Sequence, residues 1–96
     1  MPRARPLNDE NKYRGNPKLI AKYLNDALAT EDTAAIIRAI GDMIRAQGSS
    51  GFSKKTKLGR ASLYRSFSGR MSPGFERVIE VLLALDVKLV AKPLTK

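Results

Sequence analysis

Twice in this chain a capping side chain stands directly before a proline and ahead of an apolar repeat of helical period: Asn16–Pro17 and Ser72–Pro73. Asn and Ser can accept a bond from the first free backbone N–H groups, and proline suits the first helical position, where its missing N–H removes nothing. After the first pair, Ile20, Tyr23, Leu24, Ala27 and Leu28 recur at helical spacing to about Ala29. A second helix is expected with Thr30 as its cap and Glu31 and Asp32 near its positive end. Ile36, Ile40, Met43 and Ile44 form its apolar stripe, Ile37 widens it, and Gly48 stops it. Ser49 or Ser50 caps a short third helix to about Thr56, and Leu58–Gly59 makes a turn. A fourth helix runs from Arg60 to Ser68 and halts at Gly69. A fifth follows Ser72–Pro73, with Phe75, Val78, Ile79, Leu82 and Leu83 as its buried face. The pattern predicts an all-α fold, a compact five-helix domain.

Beyond Asp86 the period changes to two. Val87, Leu89 and Ala91 alternate with Lys88, Val90 and Lys92 until Pro93. This reads as a short strand without a second strand in the chain to pair with, so it is expected to pair across a two-fold homodimer. Val87, Leu89 and Val90 are its candidate dimer residues. Residues 1–15 hold two prolines, one glycine and mixed charges. They read as a flexible N-terminal arm, either disordered or touching a partner. Residues 16–96 form the single domain.

A chain of 96 residues, 43% hydrophobic, can bury one modest core. Without cysteine or histidine it has no disulfide, thiol or imidazole chemistry and no zinc site of the Cys/His type. The longest useful apolar run, VLLAL at 81–85, falls far short of the ~20 residues that span a bilayer. A cytoplasmic protein with no membrane partner and no cofactor is expected.

Charge separates the function classes further. The net charge is +9, and residues 49–70, SSGFSKKTKLGRASLYRSFSGR, carry six basic side chains and no acidic one. Residues 17–48 balance to zero. A basic pair of short helices joined by a tight turn is the footprint of helix–turn–helix DNA binding, whereas a merely soluble surface mixes both signs. In the fourth helix Leu63 and Phe67 share one face, Ala61, Ser62 and Arg65 lie opposite, and Tyr64 flanks them. Short outer residues let the backbone approach a major groove about 12 Å wide while Arg65 reaches a base edge. The candidate base-reading residues are Arg60, Ala61, Ser62, Tyr64 and Arg65. Lys54, Lys55, Lys57, Ser68 and Arg70 are candidates for phosphate contact.

AKYLNDALATED (21–32), AIGDMIRAQG (39–48), SLYRSFSG (62–69) and FERVIEVLLALDVKL (75–89) resemble the addiction-module antidote proteins, antitoxins of a lambda-repressor-like helix–turn–helix class. The resemblance covers about residues 17–92. It implies a helical domain that dimerises, binds double-stranded DNA at the operator of its own operon, and pairs with a small RelE-like ribonuclease toxin. One departure concerns the turn, where such motifs favour glycine in a left-handed conformation. Lys57 occupies that position, at a cost of roughly 1–2 kcal/mol, unless the turn is reshaped around Gly59.

The alternative within DNA binding is a prophage-type regulator without a toxin partner. An enzyme would need a carboxylate cluster for magnesium, but Asp26, Glu31, Asp32, Asp42, Glu76, Glu80 and Asp86 are scattered, so no catalytic or metal site is expected. A reader of single-stranded RNA would need an exposed aromatic platform. A toxin that acts on ribosomal messenger RNA should itself be basic. It is therefore expected to dock outside residues 54–70, on the neutral helices and the arm, with Asp26, Glu31, Asp32 and Asp42 as available anions.

Overall fold

The computed structural model describes residues 10–48, 52, 56 and 59–94. Among them the chain forms one single turn, α1 (Glu10–Tyr13), and four longer helices: α2 (Pro17–Leu28), α3 (Thr33–Ala46), α4 (Arg60–Ser66) and α5 (Phe75–Ala84). No strand is present among the described residues. The expected five-helix count with a C-terminal strand is corrected accordingly. Of the third expected helix only Phe52 and Thr56 are described, both helical and both buried. In place of the strand, residues 87–93 carry no ladder and no helix.

The physical reason for the missing strand lies at the end of α5. Asp86 adopts a left-handed conformation at φ 65°. Val87 N–H then donates to Leu82 C=O and Asp86 N–H to Leu83 C=O, both at 3.0 Å. This paired closure satisfies the last carbonyls of the helix and turns the chain away from its axis. The period-two pattern that follows has no strand beside it in the fold, and alternation alone supplies no hydrogen-bond partner.

α3 is the centre of the molecule. Ile37, Ala39, Ile40, Met43 and Ile44 are all buried on it. They meet Ile20 and Leu24 of α2, Phe52, Leu63 of α4, Phe67 just after α4, and Val81, Leu82 and Leu85 in and just beyond α5. The start of α2 is as the sequence predicts: Asn16 Oδ1 accepts from Leu19 N–H at 3.3 Å, with Pro17 at the first helical position. Two other starts differ. Asp32, not Thr30, caps α3, accepting from Ala35 N–H at 3.2 Å, while the Thr30 hydroxyl donates back to Ala27 C=O at the end of α2. Helix α5 begins at Phe75 after Gly74, two residues beyond Pro73. Of its expected buried face, Leu82 is buried and Val78 and Ile79 are half-buried, but Phe75 and Leu83 are exposed and Val81 is buried in their stead.

Residues 10–15 pack against this core. Arg14 Nε donates to Ala46 C=O at 3.1 Å, and Gln47 Nε2 donates to Tyr13 C=O at 3.2 Å. The rings of Tyr13 and Tyr23 meet edge to face at 5.5 Å. A guanidinium on the last carbonyls of α3 suits the negative end of that helix. Residues 1–9 of the expected arm lie outside the described residues.

Candidate nucleic-acid interface

Seven residues are too few to hold a helix by backbone bonds alone. Packing holds α4: Leu63 and Phe67 are each 1% exposed and sit in the core. Ala61, Ser62 and Arg65 face solvent on the other side. Tyr64 is half-buried against the core cluster, so only part of its ring is free for a partner. Arg60 is the first residue of α4. The division into buried and exposed faces is the one that the spacing predicts.

The backbone of α3 sets how deeply α4 is seated. A Cβ at Gly41 would lie 2.3 Å from the Phe67 carbonyl oxygen, so only glycine lets the end of α4 come this close. Beyond α4 the chain is pinned locally. The Ser68 hydroxyl donates to Arg65 C=O at 3.1 Å and accepts from Arg70 N–H at 3.3 Å. Ser68, a sequence candidate for phosphate contact, thus also shapes the loop that carries Arg70, and Arg70 is exposed.

Lys54, Lys55 and Lys57 lie outside the described residues, and with them the expected left-handed turn position. Gly59 stands at the N-cap of α4 at φ −65°, in extended backbone that any residue can adopt. The rest of the turn that the sequence places around Gly59 lies outside the described residues. Of the candidate dimer residues, Val87 is half-buried against its own core, whereas Leu89 and Val90 are exposed.

Two of the four anions expected to serve a toxin, Asp32 and Asp42, are engaged within the chain. Asp42 accepts from the Tyr23 hydroxyl at 2.6 Å and pairs with Arg45, tying α2 to α3. Asp32 is the cap of α3, and Glu31 sits at φ 59° in the connection between α2 and α3. Among the described residues Asp26 makes only an exposed pair with Lys22 at 3.5 Å, an interaction worth little.

The sequence reading did not single out Arg38. It lies exposed on α3, outside the basic stretch, and lines one groove together with Asp26, Asp42, Phe67 and Ser68. The only advance signal was its place in an otherwise neutral helix. Among the described residues no cluster of His, Cys, Asp or Glu could hold a metal, and no helix is long and apolar enough to cross a membrane.

Comparison with known proteins sets this geometry in a family. No solved structure matches the chain. An uncharacterised protein of Haemophilus influenzae is 33% identical over 69 residues, which cover 72% of this chain and 71% of the relative. A family model described as "probable addiction module antidote protein" matches residues 7–93. By that match, spanning nearly the whole chain, the protein belongs to the addiction module antidote family.

Proposed function

We propose that the protein is a sequence-specific DNA-binding antitoxin of a type II toxin–antitoxin module. It represses its own operon through a lambda-repressor-like helix–turn–helix and neutralises a RelE-like ribonuclease toxin. It acts by binding and not by turnover. The observation that carries the DNA-binding part is the division of α4: Leu63 and Phe67 are buried while Ala61, Ser62 and Arg65 are exposed, within a stretch of six cations and no anion. Membership of the antidote family supports the toxin partner in general. The toxin docks on the α2–α3 side, where Glu31 is exposed and Asp26 is held only by a weak surface pair with Lys22.

The protein works as a homodimer. The surface for a second copy is the apolar groove of about 840 Å³ between α2, α3, α5 and residues 87–94. Among the described residues its lining is apolar apart from Asn25, Lys88 and Lys92, and a two-fold pairing would bury this apolar surface on both copies at once.

Binding titrations of the wild type and two variants, on DNA from upstream of the gene and on a scrambled duplex, test the reading. Arg65→Ala should cost about 1–3 kcal/mol on the upstream DNA and flatten the preference at one base position. Lys55→Ala should weaken both DNAs alike and lower the salt slope by about one unit. Equal losses on both DNAs for Arg65→Ala would remove it from base reading. A wild type that binds neither duplex would refute the DNA-binding function.

A further inference from the structure

The end of α4 is covered by a side chain from another helix. Gly69 adopts φ +93°, and a Cβ placed there would lie 2.7 Å from Arg38 Cγ and 3.2 Å from Arg38 Nη1. Any other residue at 69 would push Arg38 aside. The absent side chain thus gives the arginine a seat on the loop that joins Ser68 to Arg70. Arg38 remains exposed. Among the described residues it makes no ion pair, although Asp42 lies one turn further along the same helix. Asp42 is taken by Tyr23 and by Arg45. The two arginines of α3 therefore differ in kind: Arg45 is paired to Asp42, and Arg38, though it shares a groove with Asp26 and Asp42, presents a guanidinium without an ion pair beside the end of the candidate reading helix.

We infer that Arg38 is a DNA-backbone contact, so that the nucleic-acid interface extends from the basic stretch onto α3. The inference rests on the DNA-binding function proposed above. A guanidinium is a planar fork of donors and can hold two phosphate oxygens at once. Packing of its stem against Gly69 fixes the fork before DNA arrives, which reduces the rotamer freedom lost on binding. Backbone contacts of this kind set the register of a reading helix and carry no sequence information. Gly69 then has two roles. It ends the helix, and it admits the residue that positions the helix on the duplex.

Salt titrations of full-length protein on a labelled mixed-sequence DNA duplex, three helical turns long, test this. The loss should be sequence-independent, so no operator is needed. Arg38→Gln should lower the slope of log K against log salt by about one unit, the expectation for one lost phosphate contact. Arg38→Lys should keep most of that slope. Arg45→Gln, which removes a charge already paired to Asp42, should leave it unchanged. Thermal melts verify that each variant is folded. An unchanged slope in Arg38→Gln overturns the assignment while leaving the DNA-binding function intact. So does an equal loss in Arg38→Gln and Arg45→Gln, which would mark a net-charge effect, or an equal loss in Arg38→Gln and Arg38→Lys, which would mark a packing effect on Gly69. A wild type that binds no duplex overturns both the assignment and the proposed function.

Discussion

Single atoms decide much of this fold, and two positions show it with opposite signs. Glycine within a helix normally costs about 1 kcal/mol relative to alanine. At Gly41 that gain is out of reach, because the added Cβ would meet the Phe67 carbonyl oxygen at 2.3 Å. Backbone cannot swing away as a flexible side chain can. Gly41→Ala should therefore destabilise the protein by about 1–3 kcal/mol in urea unfolding, the range for overpacking a core. A more stable variant would show that α4 is not seated on α3 as described. Asp86 is the reverse case. It combines a left-handed backbone at φ 65° with a negative charge at the carbonyl end of α5. Asp86→Gly relieves both and should raise stability by about 1 kcal/mol, less what the freer unfolded chain takes back. Asp86→Asn relieves only the charge and should fall between the two in a thermal melt. An order in which Asn or Asp exceeds Gly would discount the backbone contribution.

Whole elements depend on contacts that a sequence shows only in part. α4 has seven residues and draws its stability from Leu63 and Phe67 in the core. Leu63→Ala should cost about 2–5 kcal/mol and weaken DNA binding without touching an exposed residue. Chemical denaturation alongside a DNA titration would reveal it, and a loss below 1 kcal/mol would mean that α4 is not anchored there. The faces of α4 were legible because a 3.6-residue period assigns inside and outside from spacing alone. The Asn16–Pro17 start was legible for a similar reason, since the cap and its Leu19 partner lie within one turn. Thr30 and Asp32 were not separable this way. Both can cap, and the choice depends on how α2 ends, where Thr30 donates to Ala27 C=O. The residues after Asp86 misled for a deeper reason. Alternation shows which side chains could share a face, but a strand also needs a neighbour, and no local pattern supplies one. Arg38 was hidden because its role arises from a long-range meeting with Gly69.

Along the chain, the densest run of positive charge and most of the exposed apolar side chains fall in different stretches. Six cations without an anion fall within residues 49–70, residues 17–48 are neutral, and the exposed large apolar side chains gather mainly at the other end of the chain. Phe75, Leu83, Val90 and Leu94 are each more than half exposed, and Phe75, Val90 and Leu94 line the same groove as Leu28 and Leu89. Large exposed apolar patches on a small chain mark an interaction face. Two copies joined through it would cover that surface and present two α4 helices. A separation of about 34 Å would place them in successive major grooves of a palindromic site. Because strand pairing is not the means, the proposed dimer rests on side-chain burial, and a charge in the groove should break it. Leu89→Glu should sediment as a monomer where the wild type sediments as a dimer, with unchanged helical circular dichroism. On a palindromic duplex the variant should lose the tight, two-site binding of the wild type and keep the weaker binding of one half-site. A wild type that stays monomeric at high micromolar concentration would refute the dimer, and a dimeric Leu89→Glu would move its interface away from the groove.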